Sequence, residues 1–246
     1  LPVVPPIKHS LGLTLHKKKG FRIALFERKG GRAPELDKEE HLRKLGRFLG
    51  RIHVAGGGRT FLHRPSISNL DYARESISIV RTAFIPDDLQ LAYDSLITDV
   101  DTVLGNRLEE SSSSKEIKIH GDCHLGNILW RDDAPHFVDF DDARMGPSVQ
   151  DLWMLLSGDI AEQNIQLDWI LEEYTEFRDF DYREISLIEP LRTLRLIGYA
   201  GWMAKRWTDP AFPLAFPWFN SQAYWEKHIL ELREQLSALQ EPEFRN

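Results

Sequence analysis

Ile117-Lys-Ile-His-Gly-Asp-Cys-His-Leu-Gly-Asn-Ile-Leu-Trp130, followed after Arg131 to Pro135 by His136-Phe-Val-Asp-Phe-Asp-Asp142, interrupts a chain that is otherwise mostly helical beyond residue 30. Its apolar residues predict two short β segments flanking a polar turn. Carboxylates placed between apolar strands need partners or a task, because a buried, unpaired charge is expensive. Phosphoryl transfer is such a task. It asks for one proton acceptor and for oxygen ligands that hold Mg²⁺ and nucleotide phosphates in line with an acceptor hydroxyl. Asp122 can accept the hydroxyl proton, and Asn127, five residues on, offers a neutral carbonyl oxygen. A hairpin over Ile128 to Val138 would return Asp139 to the same spot with a charged oxygen. Asp141 stands one register step away as an alternative ligand.

Working outward, residues 1 to 30 have strand character. Leu11, Leu13 and Leu15 alternate, Lys17 to Gly20 supply a turn, and Phe21, Ile23 and Leu25 alternate again. Gly30-Gly31 reads as a hinge before a long helical tract. Asp37 and Glu40 are spaced as a capping box, with Leu42, Leu45, Leu49 and Ile52 on one helical face and Gly56 to Gly58 as the stop. Further helices are expected from Pro86 through Val103, and at Ser148 to Leu156, Ile165 to Phe177, Glu184 to Trp207 and Ser221 to Gln240. The Ser111 to Ser114 run reads as a solvated loop.

Among 246 residues there are 31 basic and 38 acidic side chains, for a net charge of −7, with 42% hydrophobic residues. That composition belongs to a folded globular chain and supplies no basic stripe for nucleic acid. The longest apolar stretch, Leu196 to Ala204, is about half of a membrane span. Cys123 is the single cysteine, which excludes an intrachain disulfide and fits a reducing, cytoplasmic compartment. The chain begins without Met and is expected to be a piece of a longer protein.

His120-Gly-Asp-Cys-His-Leu-Gly-Asn127 with Phe137-Val-Asp-Phe140 resembles the catalytic and metal-binding motifs of the aminoglycoside phosphotransferase and choline kinase family. The likeness covers nearly the whole chain. The resemblance implies an α+β, protein-kinase-like fold, with residues 1–30 as the end of the small lobe and hinge and residues 31–246 as the helical large lobe. It implies that Asp122 is the proton acceptor, that Asn127 and Asp139 hold Mg²⁺, and that the backbone at Phe26 and Glu27 meets the adenine of ATP. Asp151 would support the catalytic loop from the following helix. The wider run, including Val149 to Leu156 and Trp207-Thr-Asp-Pro-Ala-Phe-Pro213, resembles a branch that phosphorylates protein serine or threonine. That implies a cytoplasmic, monomeric kinase with a protein substrate. The family's phosphate-covering loop and ATP-binding lysine have no counterpart from residue 1 onward, so the chain alone is expected to bind and turn over ATP poorly.

Other readings stand beside this one. The same machinery serves a small hydroxyl compound such as choline, homoserine or an aminoglycoside, and a chain lacking the phosphate loop could be an inactive binding module. His120, Asp122 and His124 alternate and could form a hydrolase-type metal site. Cys123 reads as a small buried hydrophobe rather than a nucleophile. The aromatic stretch Trp207 to Phe219 could be an acceptor lip or core packing, and Arg192 and Arg195 read as helix-surface charges.

Overall fold

The computed structural model describes residues 1–110 and 114–241, so most of the serine-run loop lies outside the described residues. In chain order the elements are β1 (His16–Lys18), β2 (Phe21–Ile23), α1 (Glu39–Gly56), α2 (Leu70–Ala83), α3 (Asp87–Glu110), β3 (Ile117–Ile119), β4 (Ile128–Arg131) and β5 (Ala134–Phe137). They continue with β6 (Arg144–Gly146), α4 (Val149–Trp153), α5 (Ile160–Thr175), α6 (Ile188–Arg206), α7 (Ala211–Ala215) and α8 (Gln222–Gln240). Two compact units result, one formed by Leu1–Leu62 with Ile117–Phe180, the other by His63–Glu116 with Asp181–Asn246.

The first unit is organised on α1. Leu42, Leu45 and Leu49 are fully buried and Ile52 nearly so, as their spacing predicts; each contributes roughly 1.5–3 kcal/mol by leaving water. The same helix carries three glycines at contact points. A Cβ at Gly46 would stand 2.1 Å from the carbonyl oxygen of Ile170, and one at Gly50 would stand 2.7 Å from that of Tyr174. A Cβ at Gly56 would stand 2.2 Å from the carbonyl oxygen of Lys118. Missing side chains therefore let α5 and β3 touch the α1 backbone, which explains glycine in a helix despite its cost of about 1 kcal/mol relative to alanine. The expected Asp37–Glu40 capping box does not form. The helix starts at Glu39 behind Lys38, which gives no side-chain cap, and the acidic pair Glu39 and Glu40 in the first turn complements the helix dipole instead.

Strands in this unit pair as three antiparallel ribbons. β3 pairs with β6, and β4 with β5 in the register Ile128↔Phe137 to Arg131↔Ala134. The β4–β5 turn is Asp132-Asp133, both at positive φ (51° and 59°), a two-residue turn that matches strand twist. The amino-terminal hairpin is shorter than its sequence alternation suggests. Lys17 and Lys18 belong to β1, and the turn is only Lys19-Gly20, at φ 50° and 83°. Leu11, Leu13, Leu15, Phe21, Ile23 and Leu25 all remain exposed, and a ribbon without a packed face holds few ladder bonds. Gly31 is pinned by packing: a Cβ there would meet Leu129 at 2.8 Å, and Arg32 exchanges two backbone hydrogen bonds with Trp130. α5 begins five residues earlier than its apolar pattern suggested, because Asp159 and Glu162 form a reciprocal capping box. The helix expected over Ser148 to Leu156 is the five-residue α4.

In the second unit α2 packs on α6, and α8 packs on α3 and α6. The sequence reading missed α2. Its Ser76, Ser78 and Thr82 dilute the apolar stripe, yet Asn69 caps it by accepting from Asp71 N–H. Ser76 is buried there because α6 presents Gly201 to it. Ser221 caps α8 as expected. Phe219 is fully buried, with ring centroids 5.2 Å from Phe84, 5.2 Å from Trp207 and 5.1 Å from Trp225. That part of the aromatic stretch is core, while Leu214 and Trp218 are exposed. Arg192 is more than a surface charge, since it pairs at 3.0 Å with the buried Glu189 carboxylate. Among the described residues no helix is long and apolar enough to cross a membrane.

Candidate active site

The polar turn between β3 and β4 is a tightly bonded loop. Gly121 sits at φ 85°, where a Cβ would come 2.5 Å from the carbonyl oxygen of Asp142, so glycine is required by both conformation and space. His124 N–H donates to the Asp122 carbonyl at 2.9 Å, and Asn127 N–H donates to that of His124 at 2.9 Å. The Asn127 amide Nδ2 donates to the Asp122 carbonyl at 2.9 Å and approaches the Asp122 carboxylate at 3.4 Å. Five residues of spacing thus close a small ring that joins Asp122 to Asn127, with Asn127 buried and Asp122 partly open to solvent. His124 Nδ1 accepts from Gly126 N–H at 2.9 Å, which leaves its Nε2 toward Asp122 Oδ2 at 3.4 Å.

Asp139 is reached through the β4–β5 hairpin. Val138 N–H donates to the Asn127 carbonyl at 3.0 Å, so the residue before Asp139 is fastened to Asn127 itself. His120 Nε2 donates to the Val138 carbonyl at 2.8 Å, holding the same peptide from the other side. Asp139 has an exposed side chain and a left-handed backbone (φ 62°) at the head of a single 3₁₀ turn, Phe140–Asp142. Asp142 is bound by Arg144 at 2.6 Å.

Phe26 and Glu27 lie apart from these contacts. Phe26 bridges Pro6, and Val3 in turn bridges Phe137, so the segment Val3 to Pro6 links that region to β5. Both residues are exposed, and Glu27 pairs with Lys29 at 2.8 Å, which holds its carboxyl below the usual range.

Behind the loop stands Asp151 of α4, fully buried. Its Oδ2 accepts from His120 N–H at 2.7 Å and its Oδ1 from Gly121 N–H at 2.9 Å. His53 of α1, also fully buried, places Nε2 2.9 Å from Asp151 Oδ2 and Nδ1 2.9 Å from the Tyr174 hydroxyl of α5. Neither His53 nor Tyr174 was singled out from sequence. The available signal was a histidine four residues after Leu49, on a stripe where a leucine would be expected.

Burial pushes the Cys123 thiol well above its ordinary range, with Asp151 and Asp122 adding to the effect, so no thiolate is available for nucleophilic attack. The geometry also speaks against the hydrolase reading, because both His120 nitrogens are engaged, Nδ1 by Asp122 N–H at 3.3 Å and Nε2 by Val138.

An acid, an amide and a hairpin-borne second acid around one bonded loop are the types of oxygen donor that phosphoryl transfer calls for. The phosphotransferase enzyme family matches residues 1–188, and the chain belongs to that family. Over 243 residues, 98% of this chain and 73% of the relative, it is 45% identical to stress response kinase A of Escherichia coli strain K12. It is 44% identical over 244 residues, again 98% and 73% of the two chains, to serine/threonine protein kinase RdoA of Salmonella typhimurium strain LT2. Among solved structures, amicoumacin kinase in complex with AMP-PNP and Ca²⁺ superposes with a TM-score of 0.67 at 17% identity, covering 100% of this chain and 75% of the other. The α+β, protein-kinase-like fold expected from sequence is the fold of this chain.

Proposed function

We propose that this phosphotransferase transfers the γ-phosphoryl group of ATP, with Mg²⁺, to a serine or threonine hydroxyl of a protein. The observation that carries the reading is the bonded ring of Asp122 and Asn127, fastened through Val138 to the peptide that precedes Asp139. Asp122 accepts the acceptor hydroxyl's proton. Its carboxylate is part-exposed toward solvent, where an acceptor can reach it, while its backbone is held by His124 and Asn127. Bound Mg²⁺ would neutralise charge on the transferring phosphates.

The donor set fits that metal. Asn127 commits its amide nitrogen to Asp122, which turns its amide oxygen away from that carbonyl, and Asp139 supplies an exposed carboxylate at the hairpin's end. Both are hard oxygens, and Mg²⁺ is usually held by one or two carboxylates plus substrate phosphates. Among the described residues no group of three or more His, Cys, Asp or Glu could hold a metal ion.

Residues 1–30 serve in this reading as the end of the small lobe, with the Phe26-Glu27 backbone against adenine, and a reducing, cytoplasmic compartment suits the free, buried Cys123. The protein acceptor follows the name of one relative, serine/threonine protein kinase RdoA of Salmonella typhimurium. The second reading, a small-molecule acceptor, follows amicoumacin kinase.

The test is transfer of labelled γ-phosphate from ATP with Mg²⁺ by the protein at its full natural length, offered protein acceptors and a panel of small alcohols. Label on protein serine or threonine is the expected result, and label on an alcohol alone selects the second reading. Label on neither sinks both.

A further inference from the structure

Tyr174, in a part of the chain remote in sequence from the catalytic loop, lies at the end of a buried chain of side chains that reaches that loop. We infer that the Tyr174 hydroxyl is a positioning group: by donating to His53 Nδ1 it holds the imidazole as an Nε2–H donor toward Asp151, and so keeps Asp151 aimed at the His120 and Gly121 amides. The part of the inference concerning turnover rests on the proposed role of Asp122.

The reasoning starts from donors and acceptors. A carboxylate only accepts, and Asp151 already accepts from two backbone N–H groups. His53 Nε2, at 2.9 Å from Oδ2, must therefore carry a proton, since a bare nitrogen there would set acceptor against acceptor. A neutral imidazole with Nε2–H has a bare Nδ1, and in a site with no exposed surface that nitrogen needs a donor. Tyr174 O–H stands 2.9 Å away and is the donor that meets it. His53, Asp151 and Tyr174 are all fully buried, so water has no ready access to replace the phenol.

Backbone packing sets this distance. Gly46 and Gly50 bring α1 against the Ile170 and Tyr174 carbonyls of α5, and His53 lies less than one turn beyond Gly50. The tyrosine ring is further held edge-on to Phe180, with ring centroids 6.0 Å apart. In this role Tyr174 acts through His53 and not on a reacting group.

The experiment compares the wild type with Tyr174→Phe, which keeps the ring, and with His53→Gln, which removes the imidazole through which Tyr174 would act. Side-chain ¹⁵N spectra should show His53 as the neutral Nε2–H form in the wild type. Amide exchange at His120 and Gly121 should quicken by about tenfold in Tyr174→Phe, while amides in α8 keep their rates. Adding Tyr174→Phe to His53→Gln should have no further effect on that exchange. In the transfer assay Tyr174→Phe should lower kcat several-fold with KM for ATP unchanged. An imidazolium signature for His53, unchanged exchange at His120 and Gly121, or full additivity in the double variant overturns the inference. Quickened exchange with unaltered kcat overturns the positioning role. Quickened exchange in a protein whose wild type transfers no phosphate sinks the kinase reading and leaves the hydrogen-bonded chain standing.

Discussion

The His120 amide donates to the Asp151 carboxylate at 2.7 Å, and the other oxygen of that carboxylate receives the amide of Gly121 at 2.9 Å. Asp122 is the next residue, so one buried carboxylate from α4 sets the backbone that carries the proposed proton acceptor. The side chain of His120 continues the connection to the Val138 carbonyl, one residue before Asp139.

This arrangement makes Asp151 a stability determinant. Asp151→Asn conserves volume but turns an amide NH₂ toward groups that are themselves donors, leaving at least one of three buried N–H groups without an acceptor. A loss of about 3 kcal/mol or more is expected. Urea unfolding of the variant against wild type measures it, and a difference below about 1 kcal/mol would remove Asp151 from this role.

Asp122→Asn should behave in the opposite way. The side chain meets Asn127 and His124 at 3.4 Å and is partly exposed, so unfolding should change by less than about 1 kcal/mol. Phosphoryl transfer should fall by roughly 10²- to 10⁴-fold, the usual worth of a positioned proton acceptor. Transfer at near the wild-type rate would show that the proton goes elsewhere.

Gly46→Ala tests packing against propensity. On propensity alone the change would stabilise a helix by about 1 kcal/mol. The new Cβ, however, would stand 2.1 Å from a backbone oxygen, which cannot rotate aside as a flexible side chain can. Destabilisation by about 2 kcal/mol is expected, whereas Gly58→Ala, with nothing within 4 Å of its Cβ, should be close to neutral. A stabilised Gly46→Ala protein would refute the close contact of α1 and α5.

His228, buried in α8, gives a pH signature in the second unit. Burial holds its imidazole down at about 4, from an ordinary 6.5. Between those values the unfolded chain binds a proton that the folded chain refuses, so the stabilising contribution is complete above pH 6.5 and is lost as pH falls toward 4. The loss attributable to this residue between pH 7 and pH 4 is about 3 kcal/mol. Urea midpoints of wild type and His228→Asn across that range should converge as pH falls, and parallel curves would refute the assignment.

Much of this was legible without coordinates. Leu42, Leu45, Leu49 and Ile52 declared the buried face of α1 by spacing alone, and Ser221 announced the start of α8. The loop motif with Asn127 five residues after Asp122 identified where polar groups had to cluster, because a short loop brings such neighbours together by local geometry. α2 escaped notice because hydroxyl side chains interrupt its apolar stripe, and Ser76 is buried only because Gly201 of another helix meets it. The expected capping box on α1 failed while an unnoticed one formed at Asp159, since several residues near a helix start can compete for the cap and local preference does not choose among them.

Local periodicity, turn chemistry and the spacing of Asp122, Asn127 and Asp139 are properties of adjacent residues, and so the family, the helical character and the loop could be read along the chain. The contacts of Asp151 with His120 and Gly121, of His53 with Asp151, and of Tyr174 with His53 join residues 30 to 121 positions apart. No sequence pattern specifies such pairs. They exist because glycines at Gly46, Gly50 and Gly56 let backbones meet, and because buried polar atoms in a closely packed interior must find partners wherever the packed helices and strands bring them.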